Sequence, residues 1–123
     1  MAMMRGVPRR DVLWAPGTKA ELKGYSKRVR SLIGRGIEVA QWGQTDTHAK
    51  QMKGKLREVY EIVVEGDKVS HRACYYPTKD LDGPIAVLDV FIKKNTSGIS
   101  TPLAITNRIM DRLQRIKAIE KQK

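Results

Sequence analysis

The sequence predicts an α+β domain in which two N-terminal helices and a C-terminal helix pack on an antiparallel β-sheet. Three observations carry that expectation. Apolar residues recur at helical spacing over 19–42 and again from Ile105 to Ile116. Apolar and polar residues alternate over 57–65 and 68–76, on either side of Gly66-Asp67. A nearly continuous apolar run covers 84–92. The order strand, helix, helix, hairpin, strand, helix then suits helices covering a sheet.

Each element has a local reason. Residues 1–10 contain Arg5, Arg9 and Arg10 with Gly6 and Pro8, and are expected to form a flexible basic arm, with 11–123 as one domain. Asp11 to Ala15 reads as a short strand, closed by Pro16-Gly17, with Thr18 expected to cap the first helix. Gly24 divides the helical stretch 19–42, and Ser26 is placed to cap the second piece. There Val29, Leu32, Ile33, Ile37 and Ala40 share one face, while Gly36 permits close packing. Trp42-Gly43 ends the helix, and residues 44–50 read as a polar connection.

Gly66-Asp67 is expected to be a two-residue hairpin loop, which sets Glu61 opposite Arg72 and Val59 opposite Cys74. One face then carries Arg57, Val59, Glu61, Val63, Ser70, Arg72, Cys74 and Tyr76. The other carries Tyr60, Ile62, Val64, Val69, His71, Ala73 and Tyr75. The run 84–92 is apolar on both faces except at Asp89, so it is expected to be a central strand. Thr101 is expected to cap the last helix, with Pro102 at its first position. Ile105, Ile109, Leu113 and Ile116 form that helix's buried stripe.

At 123 residues the chain holds one core, and its 41% hydrophobic content excludes a disordered chain. The formal net charge of +11 is unevenly spread. Residues 1–60 carry 13 Lys/Arg against 5 Asp/Glu, residues 61–92 carry 3 against 6, and residues 93–123 carry 8 against 2. Two basic flanks that converge in space suit a polyanion, either nucleic acid or an acidic protein. Cys74 stands alone, which excludes an internal disulfide and fits a reducing compartment. The apolar run is too short to span a bilayer, so a cytoplasmic location is expected.

His48 and His71 have no Cys or carboxylate partners at ligand spacing, so no metal and no cofactor is expected. Chemistry without a metal must use Lys, Arg, His and Tyr. Lys93 and Lys94 end the apolar strand and are followed by a Ser/Thr-rich turn at 95–100 and a helix start, which together suit a phosphate. RNA cleavage by the 2′-hydroxyl needs a base, an acid and cations around the phosphorane. Crowding lowers a lysine's pKa toward that task, and Lys53, Arg72, Lys93 and Lys94 are the candidates for such a crowd. Lys50, Lys55, Arg57 and Thr101 are candidates for RNA binding. Arg72 equally suits a plain ion pair with Glu61. His48 suits either proton transfer or solvation, and His71 is expected to be structural. Asp89 either meets a buried cation or reaches the active face of the sheet.

Two stretches carry a family resemblance. Lys53-Gly54-Lys55-Leu56-Arg57-Glu58-Val59-Tyr60-Glu61, with Arg72 and Tyr75-Tyr76 behind it, resembles the corresponding hairpin of phage-derived HigB-like toxins in the RelE/ParE superfamily. Phe91-Ile92-Lys93-Lys94, followed by Gly98-Ile99-Ser100-Thr101-Pro102, is similar to their F-x-K-K … T-P segment. The resemblance spans about residues 11–118. It implies the toxin of a toxin–antitoxin pair, a ribosome-dependent endoribonuclease that cuts mRNA and inhibits translation. It implies as partners mRNA on the ribosome and a cognate antitoxin of helix-turn-helix type. It further implies that Arg72 and Lys94 hold the scissile phosphate, with Lys53 or Lys93 moving the proton. Gly98-Ile99-Ser100 stands where several relatives have a tyrosine. That departure leaves a second reading open, a ParE-like toxin that inhibits DNA gyrase without cleaving RNA.

Overall fold

The structure is a computed structural model that describes residues 8–95 and 101–122. Its strands are β1 (Val12–Trp14), β2 (Ala49–Gln51), β3 (Tyr60–Glu65), β4 (Val69–Pro77) and β5 (Ile85–Lys94). Its helices are α1 (Thr18–Lys23), α2 (Lys27–Gln41) and α3 (Leu103–Lys121), and a single 3-10 turn spans Gly54–Leu56. The five strands form one sheet in the order β1-β5-β4-β3-β2. The sheet is mostly antiparallel; β1 alone runs parallel to its neighbour β5.

Helices cover both faces of the sheet. Ile62, Val64, Ala73, Tyr75 and Val87 pack with Leu22 of α1 and Val29, Ile33 and Ile37 of α2. Val59, Cys74, Tyr76, Ala86 and Leu88 pack with Ile109 and Leu113 of α3. Each strand thus sends alternate side chains to opposite layers, and the faces expected from alternation are the faces observed. Gly36 lets α2 approach the sheet: a Cβ there would lie 2.7 Å from Ile62 Cδ1.

The hairpin register differs from the expected one. Glu61 faces Cys74 and Val63 faces Arg72, and Glu65–Ser70 is the last pair. The loop therefore holds four residues, 66–69, instead of two. Gly66 is the residue this loop needs, because a Cβ there would sit 2.7 Å from the Val69 carbonyl oxygen. The slip is two positions, which is one full side-chain period, so every residue keeps its face while its partner changes.

Other boundaries also move. The polar connection contains β2, a three-residue edge strand. The apolar strand runs on through Lys93 and Lys94. Gly17 occupies the N-cap of α1, and the Thr18 hydroxyl instead donates to Ala15 O at 2.7 Å. Ser26 caps α2 as expected, accepting from Val29 N at 3.3 Å. Pro102, not Thr101, is the N-cap of α3, so Thr101 makes no cap. Arg10, expected in the arm, is buried. Its guanidinium donates to the carbonyls of Gly83 and Thr78, each at 2.7 Å, and its amide donates to Gln41 O. A cation placed among converging carbonyls is drawn inside, and it pins the start of β1 to the β4–β5 turn. Residues 1–7 of the expected arm and 96–100 of the expected turn lie outside the described residues.

Candidate functional site

The α3-side face of the sheet carries Arg72, Lys93 and Lys50, three of the charged residues singled out from the sequence. Arg72 on β4 stands between Val63 on β3 and Phe91 on β5. Its Nη1 donates to Glu61 Oε1 at 3.0 Å and its Nε donates to Ser70 Oγ at 3.0 Å. Glu61 and Ser70 are both buried, so two sides of the guanidinium are held by fixed groups. No other protein acceptor meets it among the described residues. The ion pair expected between Glu61 and Arg72 exists, though it forms along a diagonal of the ladder, within reach of long side chains.

Lys93 lies opposite Ser70, two residues beyond Phe91, and so shares the face of Arg72. The backbone positions of a diagonal pair of this kind lie about 7–8 Å apart, within reach of long side chains. Lys94 lies opposite Val69, and alternation turns it to the other face. Lys93, rather than Lys94, shares the face of Arg72, because the strand continues past Ile92 without a break. Lys50 on β2 lies opposite Glu61 and is exposed on the same face. Glu65 ends the row of Lys93 and Ser70 at the far side.

Lys53, Lys55 and Arg57 are exposed around the 3-10 turn beyond β2. The row of Arg72 crosses β3 at Val63, whereas β2 ends at Gln51 opposite Tyr60. Three residues of strand separate the two rows, about 10 Å, so this cluster flanks Arg72 without joining it. Glu58 in the same turn pairs with Lys117 of α3, and that bond holds its carboxyl below the usual range. His48 Nδ1 lies 3.3 Å from the buried Asp46, which also meets Arg35 at 3.8 Å. His71 stacks edge-on against Tyr25 at 4.7 Å on the opposite face, the structural place expected for it.

Asp89 meets cations. Arg108 Nε donates to its Oδ2 at 2.7 Å, and Arg112 Nη1 lies 3.7 Å from its Oδ1. The carboxylate holds Arg108 protonated still more firmly than usual. A bulge explains the placement. Cys74 faces Asp89 and Tyr75 faces Val87, so Leu88 is an extra residue, and Leu88 and Asp89 both turn toward α3. Reasoning from sequence missed Ser70 as a partner of Arg72, although both were read on one face. Arg108 and Arg112 as the partners of Asp89 carry no sequence signal either, since no period reveals a bulge.

A guanidinium held by a carboxylate and a hydroxyl, on a face that also carries Lys93, is arranged before any ligand arrives. Such donors stabilise charge that develops on a phosphate oxygen without further reorganisation. Among the described residues no three His, Cys, Asp or Glu side chains gather as a metal site. No described helix is long and apolar enough to cross a membrane.

No curated protein matches the chain. The family described as phage-derived protein Gp49-like (DUF891) matches residues 20–114, from α1 through most of α3. That span includes β2 to β5 and every strand residue of the charged face. On this match the chain belongs to the phage-derived Gp49-like family.

Proposed function

We propose that this protein is the toxin of a toxin–antitoxin pair and a ribosome-dependent mRNA endoribonuclease. The observation that carries the reading is that Arg72 and Lys93 share one face of the sheet, with Arg72 oriented by Glu61 and Ser70. In the reaction, a 2′-hydroxyl attacks the adjacent phosphorus and the 5′-oxygen leaves. Arg72 holds the phosphorane charge, and Lys93 is the nearer lysine for proton transfer. Lys50, Lys53, Lys55 and Arg57 line the β2 side and steer the strand through its phosphates. Membership of the Gp49-like family supports a toxin, and the net charge of +11 supports a ribosomal partner. The neutralising partner in this reading is an antitoxin of helix-turn-helix type, and both act in the cytoplasm.

The test is mapping of mRNA 5′ ends after brief induction in bacteria, with Lys93→Ala and Arg72→Ala compared with wild type at matched folding by circular dichroism. Cuts within translated codons that vanish in folded Lys93→Ala support the assignment. Growth arrest without new cuts, accompanied by gyrase-dependent DNA breaks, overturns it in favour of a gyrase inhibitor.

A further inference from the structure

The two edges of the sheet are not alike. β2 exposes Lys50 and Gln51, the kind of polar edge that resists pairing. β1 reads Val-Leu-Trp, with no charge and no proline. In its parallel ladder Ile85 N donates to Asp11 O at 2.8 Å and Ala15 N donates to Val87 O at 2.9 Å. Residues 11, 13 and 15 therefore spend their backbone groups on β5. Val12 and Trp14 aim theirs outward, and nothing among the described residues bonds them.

Beside this edge runs an apolar trough between β1 and α3. Two hollows of about 430 and 360 Å³ adjoin there, sharing Leu13 and Ile116. Leu13 is 43% exposed and Ile119 is 55% exposed, both unusually open for residues of their size. The rim is basic. The two hollows are lined by six Lys/Arg against Asp80, Asp111 and Glu120. Arg108 and Arg112 both meet Asp89, Lys117 serves Glu58 and Arg115 serves Asp111. Lys121 and Lys79 line the trough without an ion pair among the described residues.

We propose that β1 and this trough bind an acidic, extended segment of a partner protein as a sixth strand of the sheet. The segment's backbone pairs with Val12 and Trp14, its apolar side chains enter the trough beside Leu13, and its carboxylates meet Lys79 and Lys121. A free peptide edge and an apolar floor select a protein over a nucleic acid, whose phosphates gain nothing from either. The surface is separate from the Arg72 face: β1 pairs with β5 as far as Val87, six residues or about 20 Å from Lys93. It therefore stands whether or not the protein cleaves RNA.

The test is a titration of the full, ¹⁵N-labelled chain with a blocked eight-residue peptide of alternating glutamate and valine. A lysine–valine peptide and a single-stranded RNA serve as comparators. The glutamate peptide is expected to shift and protect the amides of Val12 and Trp14 while leaving those of Leu13 and Ala15 unchanged in exchange. Its affinity is expected to exceed that of the lysine peptide at least about tenfold, and to fall about as much in Leu13→Glu. Ile119→Glu serves as a second variant should Leu13→Glu disturb β1. Equal binding of the two peptides, protection elsewhere, or stronger shifts of the β1 amides by RNA overturns the proposal. So does a dimer of the free chain in which those two amides are already protected, since the edge then belongs to a second copy.

Discussion

Glu61 Oε1 accepts from Arg72 Nη1 at 3.0 Å between side chains that are 4% and 14% exposed. The pair couples the fold to the charged face, because the residue that aims the guanidinium is itself in the sheet interior.

Removing either partner leaves the other in a poor environment. Arg72→Ala is expected to cost about 3–5 kcal/mol, since it strands a buried carboxylate. Glu61→Gln keeps an acceptor for Arg72 and is expected to cost about 1–3 kcal/mol. Urea unfolding of both single variants and of Glu61→Gln/Arg72→Ala checks this: the double variant is expected to lose less than the two singles together. Strict additivity would show that the two side chains do not interact in solution.

Gly36 and Gly34 lie two residues apart on α2 and are expected to respond in opposite directions. A Cβ at Gly36 meets Ile62 Cδ1 at 2.7 Å and Cγ1 at 3.0 Å, and Ile62 is fully buried. Gly36→Ala is therefore expected to destabilise by about 1–3 kcal/mol through overpacking, less the gain in helix propensity. Nothing lies within 4 Å of a Cβ at Gly34, so Gly34→Ala is expected to stabilise by about 0.5–1 kcal/mol. Thermal melts of the two variants decide it, and Ile62→Val is expected to relieve part of the Gly36→Ala loss.

Asp89 anchors α3 to β5 through Arg108 and Arg112. Asp89→Asn leaves both guanidinium groups without a carboxylate. Arg108 is half exposed and can turn to water, so the expected cost is near the low end for a buried pair, about 3 kcal/mol. The observable is a lower urea midpoint with an unchanged slope. A changed slope would instead point to α3 detaching before the rest unfolds.

Three of the four tyrosines resist ionisation in the fold. Burial pushes Tyr75 up to about 12. Burial and the bond from its hydroxyl to Glu120 raise Tyr76, and burial together with Glu21 raises Tyr25. The unfolded chain releases these protons first, so the stabilisation is full below about pH 10 and is lost as pH rises toward the folded values. Alkaline titration followed at 295 nm is expected to show those three tyrosines ionising together with loss of the fold. Burial likewise raises the Cys74 thiol well above its ordinary value, so a thiol reagent is expected to leave it unmodified in the native protein at neutral pH. Early, independent ionisation of the tyrosines would contradict the packing of β4.

Much of this architecture is written in local pattern. The helical period marks α2 and α3, the Ser26 cap is readable from its position, and alternation assigns Arg72, Glu61 and His71 to their faces. Those features depend on residues a few positions apart, where periods of 3.6 and 2 leave little choice. Gly66-Asp67 was equally visible as a turn, yet its loop proved longer by two residues. Loop length depends on how Val69 and Asn95 close against neighbouring strands, with Asn95 N donating to Lys68 O.

Local pattern alone was enough for the three helices, four of the five strands, their order, the two faces of the hairpin and the basic character of the flanks. Which residues meet follows only from how the segments pack. The extra Leu88 turns Asp89 toward α3, the uninterrupted pleat places Lys93 beside Arg72 and Lys94 away from it, and the parallel pairing of β1 leaves an apolar edge open. The two differ in range. A face follows from backbone geometry within one strand, whereas register, bulges and edges are set by pairing between segments tens of residues apart.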